Sequence, residues 1–331
     1  MNALNELREH ARRVGEKLIE DLRFADVTTN KWSNHERADF EMSRIMNACL
    51  DDLASTGCWG EANRVPSRAL WKVAGETLAV GWLQNHARQK PRGYAGDFEM
   101  LEKIVNRTLS TDPLGRAFDH FFQEQAAPEA VRSRTRLVAD RIVGLVRAST
   151  NDRLRICSVG SGPAIDVELA CLELSPDERT RVEVSLLDLD PEALAQAERR
   201  LAPLLTGDQL RMHRENLFRL PRLKQTKSLL KQADFIACTG LFDYLTDVDA
   251  VAMLQYFWSH LVTDGEMMVF NFAPANPSQA YMEWIGNWYL IYRDEAMIAD
   301  LIREAIGSDV APEVVREDSQ ASLCAVCRKV L

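Results

Sequence analysis

From Leu154 onward the chain alternates short apolar runs with helical patterns, and this alternation restricts the fold more than any other feature. Leu154 to Val159 reads as a strand, followed by a glycine-containing turn and a helix over about 163–174. Val182 to Leu187 is a second strand, Pro191 to Leu201 a helix, and Ala233 to Cys238 another strand. Asp247 to Leu261 is a helix, and Gly265 to Phe272 a further strand. Strands separated by helices have connections long enough for parallel pairing, so the pattern predicts a doubly wound, Rossmann-like α/β sheet. The tail from about Asp309 to Val330 offers two β-like runs joined near Glu317–Ser319, which predicts a hairpin adding an antiparallel strand.

Residues 1–148 carry helical spacing and no strand pattern. Leu4, Leu7, Ala11, Val14, Leu18 and Leu22 recur at three- and four-residue steps, placing one apolar stripe along a helix. Ser33 with Glu36 three residues on forms a capping-box pattern for a second helix reaching about Ser55. A third helix is expected over 67–88 and a fourth over 97–108. Asp112-Pro113 opens another, and a last covers 128–148. The polar run Ser149–Asp152 marks the junction, giving a helical lid or substrate domain, 1–148, and a cofactor-binding catalytic domain, 149–331.

Forty Lys and Arg against 49 Asp and Glu give a net charge of −9, which disfavours nonspecific binding to nucleic acid or an anionic membrane. No apolar run approaches the roughly 18 residues a membrane span needs, and the first 25 residues are too charged for a secretory signal. The seven cysteines are odd in number and several sit in apolar runs, as buried thiols do in a reducing cytosol, so a cytoplasmic protein is expected. The odd spacing of Cys324 and Cys327 in a terminal strand puts them on opposite faces, and with no second ligand pair no metal site is expected. The amphipathic first helix permits a homodimer.

The main chemical signal is Val159-Gly160-Ser161-Gly162-Pro163-Ala164-Ile165-Asp166, between the first strand and its helix. Glycines allow a sharp turn and a close approach of ligand to backbone, at the strand end where open α/β sheets bind ligands. Asp188 and Asp190 close the second strand, where a carboxylate can accept both hydroxyl hydrogens of a ribose. A third glycine is missing, since position 165 is Ile, and Pro163 removes a helix N-terminal donor that a pyrophosphate would use. No Gly-Lys-Ser/Thr follows, so this is no P-loop. An adenosyl ligand without phosphate suits the loop.

At these residues the chain resembles class I S-adenosylmethionine-dependent methyltransferases. Val159–Pro163 is similar to their first motif and Leu186–Asp190 to their second. The resemblance implies a cofactor site of Gly160, Ser161, Gly162, Pro163, Asp188 and Leu189. Asn216 and Leu217, in the run Arg214–Phe218 that follows a third strand, would stand at the adenine, and Thr239 and Gly240, after the fourth strand, Ala233–Cys238, would face the reacting end. Asp243 and Tyr244 follow there as candidate catalytic groups, although Asp243 can equally be a helix cap or turn residue. The Asp/Asn-Pro-Pro-Tyr/Phe tetrad of N-methyltransferases is absent.

Further blocks, Lys90–Asp97, Gly240–Leu245 and Asn271–Arg293, resemble the bacterial methyltransferases of 3-hydroxypalmitic acid methyl ester biosynthesis, a quorum-sensing signal pathway. That resemblance implies methylation of a fatty-acid carboxylate, an amphipathic or apolar small-molecule acceptor. Tyr94 and Asp97 would close the methionine end of the cofactor, and Arg92 or Arg293 would pair with the acceptor carboxylate. Asn271 and the aromatics Tyr281, Trp284 and Trp288 would line the acceptor site, unless the aromatic stripe is helix core. An ionised carboxylate needs no general base; an amine or hydroxyl would call on Asp243, Tyr244 or Asp97. Methylation of another small metabolite, or cofactor binding without catalysis, are the competing readings.

Overall fold

The computed structural model describes residues 3–222, 229–230 and 232–330. Its seven-stranded sheet comprises β1 (Leu154–Val159), β2 (Val182–Asp188), β3 (Leu210–Arg214), β4 (Ala233–Cys238), β5 (Leu261–Phe272), β6 (Glu313–Arg316) and β7 (Ser322–Arg328), in the order β3-β2-β1-β4-β5-β7-β6. The first five strands pair in parallel, while β7 lies antiparallel to both β5 and β6. The expected fold is therefore present: a mostly parallel Rossmann-like sheet with an antiparallel C-terminal hairpin. Glu317 holds the hairpin turn, its buried carboxylate accepting from the backbone N–H groups of Ser319, Ala321 and Ser322.

Alternation along the strands divides the sheet between two cores. One face carries Ile156, Val184, Leu186, Phe235, Ala237, Phe270 and Cys324. It is covered by α7 (Ala126–Ala148), α8 (Ile165–Glu173) and α10 (Pro191–Leu201), with the short α9 (Pro176–Arg179) between the latter two. The other carries Cys157, Val159, Leu187, Ile236, Cys238, Val269 and Cys327 beneath α11 (Asp247–His260) and α12 (Glu295–Ile306). Cys324 and Cys327 thus occupy opposite faces, as their spacing predicts, and all seven cysteines are free and buried.

The preceding helices are α1 (Ala3–Thr28), α2 (His35–Ala54), α3 (Arg64–Leu78), α4 (Trp82–Gln89), α5 (Phe98–Val105) and α6 (Pro113–Gln123). The cap of α2 is Asn34, which accepts from Arg37 N–H, and not Ser33. The helix expected over 67–88 is broken at Val80–Gly81. There α6 passes so close that a Cβ on Gly81 would stand 2.7 Å from the Phe118 Cβ, and one on Gly115 2.6 Å from the Val80 carbonyl oxygen. Asp119 of α6 then takes the place of a local cap for α4, accepting from Leu83 N–H at 2.9 Å. No helix among the described residues is long and apolar enough to cross a membrane.

The chain forms two compact units: Met1–Glu129 with Ala275–Leu290, and Ala130–Pro274 with Ile291–Leu331. The expected junction at 148/149 does not coincide with this division. Most of α7 belongs to the α/β unit because Val138, Ile142, Val143 and Val146 bury against the sheet. Conversely, 275–290 leaves the sheet and joins the helical unit. Its expected helical face does not form: a short π-helical turn, Tyr281–Ile285, ends at Gly286, and Asn287 is left-handed at φ +50°.

The two packed glycine contacts give a paired stability test. Gly115→Ala should lower the unfolding free energy by about 1–3 kcal/mol through overpacking. Gly144→Ala, in α7 with open space at its Cβ, should raise it by about 0.5–1 kcal/mol through helix propensity. Urea unfolding of both variants reads the difference, and equal effects would contradict the packing described.

Candidate cofactor site at the carboxyl edge of the sheet

The loop after β1 turns back across the neighbouring strand, where Gly160 N–H and Ser161 N–H both donate to the Leu187 carbonyl, at 2.9 and 3.1 Å. Gly160 (φ +67°), Gly162 (φ +51°) and Ala164 (φ +53°) are all left-handed. Two of the three are glycine, which adopts this region without the penalty of roughly 1–2 kcal/mol that falls on Ala164. Leu217, buried after β3, supports the loop, its Cδ1 standing 3.5 Å from where a Gly160 Cβ would be.

Asp188 ends β2 as a fixed acceptor. One carboxylate oxygen receives Gly162 N–H at 2.8 Å and the other Asp190 N–H at 2.9 Å, while its carbonyl receives Glu215 N–H. Burial raises its carboxyl above the ordinary range, opposed by these backbone donors. A carboxylate offers about four lone-pair sites, so it retains acceptor capacity for hydroxyls. Asp190 is the N-cap of α10. Asn216 uses its Oδ1 to accept Phe218 N–H, leaving its amide nitrogen without a hydrogen bond among the described residues. Leu189, directly after β2, and Phe218, in the short helical turn Leu217–Arg222 after β3, each keep 52% of their surface exposed. Gly240 is exposed with nothing near its Cβ position, so the edge beyond β4 is open. The Ser161 hydroxyl is buried and unpartnered within the loop.

Several predicted residues belong to the frame instead. Arg293, fully buried, donates to Asp247, the Phe242 and Leu245 carbonyls and Asn271 Oδ1, which uses all five of its N–H groups. It has no donor left for an acceptor carboxylate. Asn271 is equally occupied, its amide donating to the Phe272 and Ile291 carbonyls. Asp243 is a buried ion-pair partner. Arg134 Nη1 donates to one oxygen at 3.0 Å and Phe272 N–H to the other at 2.6 Å, so the turn-residue reading describes its setting. Tyr244 is half-buried beside it.

The remaining candidates lie in the helical unit. Asp97 caps α5 and holds His86 Nε2 at 2.7 Å. Arg92 pairs with Glu99 at 2.7 Å and lies over the Phe98 ring, with Tyr94 half-buried in the same loop. Tyr281 is buried against Phe121 and Phe122 and donates to Gln84 Oε1, and Trp284 is fully enclosed. Trp288 is also buried. The aromatic residues expected to form an acceptor wall are core, because the segment carrying them fills the helical unit. Among the described residues no group of three or more His, Cys, Asp or Glu is placed to hold a metal ion.

Two buried polar residues receive no role in the motif reading. Arg134 falls on the buried stripe of α7 with Ala130, Val138 and Ile142, and a cation on an apolar stripe is the signal that marks it. Asp166, in the first turn of α8, is buried with its Oδ1 accepting Val167 N–H, and desolvation pushes its carboxyl up to about 6.

No family model matches the chain, and no curated protein does. Among solved structures it is similar to a Bordetella parapertussis protein described as a possible exported protein. The identity is 18%, with 89% of this chain and 97% of that chain covered and a TM-score of 0.61. It is also similar to magnesium protoporphyrin IX methyltransferase (ChlM) from Synechocystis PCC 6803 with bound SAH. There the identity is 17%, covering 61% of this chain and 86% of that chain, with a TM-score of 0.45. A third is the S-adenosylmethionine-dependent methyltransferase SibL in its apo form, at 14% identity, covering 99% and 96%, with a TM-score of 0.48. The first establishes a shared fold and nothing of activity; the other two fall below 0.5.

The Asp166 carboxyl gives a signed pH dependence. Its folded pKa is raised from 3.8 to about 6, so between these values the folded state binds more protons than the unfolded state. Its contribution to stability is then fully favourable only below the unfolded value and is lost as pH rises through the folded one. Asp166→Asn keeps the acceptor for Val167 N–H and should stabilise the protein at pH 7 by about 3 kcal/mol. It should make no difference near pH 3, where both states are protonated. Thermal melts across that range measure it, and a variant effect independent of pH would refute the assignment.

Proposed function

We propose that the chain is an S-adenosylmethionine-dependent methyltransferase acting on a small molecule. The observation that carries the reading is Asp188, fixed by two backbone donors at the carboxyl edge beside a left-handed glycine loop. The cofactor is S-adenosylmethionine, which when bound supplies an electrophilic methyl carbon. Asp188 accepts the ribose hydroxyls, and Gly160 and Gly162 admit the ligand against the backbone. Asn216 offers its amide to the adenine ring, with Leu189 and Phe218 as apolar surface for its faces. The unpartnered, buried Ser161 hydroxyl fits a loop built to receive a polar ligand.

The acceptor is a carboxylate, with a 3-hydroxy fatty acid as the first substrate to test. Support comes from the candidate bases: Asp243 and Asp97 are both held by buried cationic or imidazole partners. A carboxylate acceptor, already ionised at pH 7, requires no base. Its methylation rests on in-line positioning and exclusion of water.

Calorimetry with S-adenosylhomocysteine tests the cofactor reading, and mass spectrometry of a fatty-acid and 3-hydroxy-acid panel incubated with S-adenosylmethionine tests the acceptor. Binding with methyl ester formation is expected. Binding without ester would move the acceptor to amines and hydroxyls, and no binding would overturn the cofactor site. Asp188→Ala should weaken S-adenosylhomocysteine about 10–100-fold, the equivalent of one hydrogen-bonded charged group.

A further inference from the structure

We propose that Arg134 is a carboxylate-binding residue of the cofactor site, a reading that rests on the methyltransferase assignment above. The residue is 4% exposed, and its guanidinium lies over the Phe272 ring at 4.2 Å. Three of its five donors are occupied: Nε by the Ser322 hydroxyl at 2.8 Å, and Nη1 by the Thr239 carbonyl at 2.8 Å and Asp243 at 3.0 Å. Nη2 is buried and has no partner among the described residues. Buried polar groups are paired in nearly all proteins, so a guanidinium with one nitrogen unpaired marks a place for an acceptor that the described residues do not provide.

The placement of that nitrogen identifies the site. Ser158 is level with Ala237 in the parallel β1–β4 pair, so the loops after Val159 and after Cys238 leave the same edge of the sheet from neighbouring strands. Nη2 shares its carbon with the nitrogen bonded to Thr239. It therefore stands at the carboxyl end of β4, beside the strand whose following loop carries the buried, unpartnered Ser161 hydroxyl. A charged N–H group suits a carboxylate oxygen, and Nη2 keeps both of its donors for one. Ser322 holds Nε, and Thr239 and Asp243 hold Nη1, so the direction of Nη2 is fixed before a ligand arrives. Neither Arg293, with all five donors used, nor Arg92, paired with Glu99, offers a comparable nitrogen within its own unit.

Two carboxylates meet at such a site, that of the cofactor's amino-acid portion and that of the acceptor, and the two are separable by measurement. Titrations of wild type, Arg134→Lys and Arg134→Met with S-adenosylhomocysteine and with 5′-methylthioadenosine, which lacks the amino-acid portion, test the first. Titration of the S-adenosylhomocysteine-saturated proteins with 3-hydroxypalmitate and with its methyl ester tests the second. Wild type should prefer S-adenosylhomocysteine over methylthioadenosine at least tenfold, and Arg134→Met should abolish that preference while methylthioadenosine binding stays unchanged. If the carboxylate is the acceptor's, the preference for acid over ester is lost instead. An equal fall for both members of each pair would mean that Arg134 only supports the fold and would overturn the proposal, as would no change. Arg134→Lys, which keeps a charge opposite Asp243, serves where Arg134→Met melts below the assay temperature. Should wild type bind neither nucleoside, the cofactor reading itself falls; wild-type binding with unaltered variants removes only the role of Arg134.

Discussion

The α/β unit depends on how the chain returns to it after residues 275–290. Ile291 N–H donates to the Asp243 carbonyl and Arg293 N–H to the Phe272 carbonyl, so the returning segment is stitched to the turn after β4 and to the end of β5. The Arg293 side chain completes the junction by donating to the Phe242 and Leu245 carbonyls in the turn after β4. A buried guanidinium is costly to desolvate and becomes acceptable only when its donors are satisfied, as all five are here. Removing any one acceptor would leave a buried cation partly unpaired, so the junction behaves as a unit. It also fixes Asp243, and through Asp243 the guanidinium of Arg134, at the carboxyl end of β4.

Local pattern sufficed for elements whose partners are near in sequence. β1, β2, β4 and the terminal hairpin follow from alternation, and α10 from its Asp190 cap and Pro191 start. The glycine loop and Asp188 were legible because left-handed backbone and strand-end carboxylates have sequence signs. The break between α3 and α4 was not, because it is imposed by α6, whose Gly115 and Phe118 press on Val80–Gly81 from more than thirty positions away. The same holds for 281–292. A three- and four-residue aromatic spacing reads as one helical face, yet Tyr281 and Trp284 are held by Gln84, Phe121 and Ser67 of the helical unit. Long-range packing overrode periodicity there.

Side-chain roles were less legible than elements for a related reason. Arg293, Asn271, Asp243 and Asp97 are residue types that bind ligands, and type is all a sequence displays. Whether such a group is free depends on what the fold sets against it. Asp97 has His86 eleven residues earlier; Arg293 has four acceptors, the farthest 51 residues away in sequence. The charged groups most suggestive of chemistry turn out to be those the frame consumes.

What the frame leaves unused therefore carries the information about the site. Near the carboxyl edge the described residues leave acceptor capacity on Asp188, the amide of Asn216, the Ser161 hydroxyl and Nη2 of Arg134. Their chemistry is mixed. A carboxylate suits hydroxyls, an amide suits a heterocycle, and a guanidinium suits a carboxylate. Hydroxyls, a heteroaromatic ring and a carboxylate occur together in a nucleoside bearing an amino acid. None of the four is arranged around a metal ligand set or phosphate, and Pro163 removes a donor that phosphate would need. The residual polarity of the edge thus matches the adenosyl amino acid proposed above. Backbone conformation at the glycine loop and the acceptor capacity of Asp188 support that proposal, and the role proposed for Arg134 extends it.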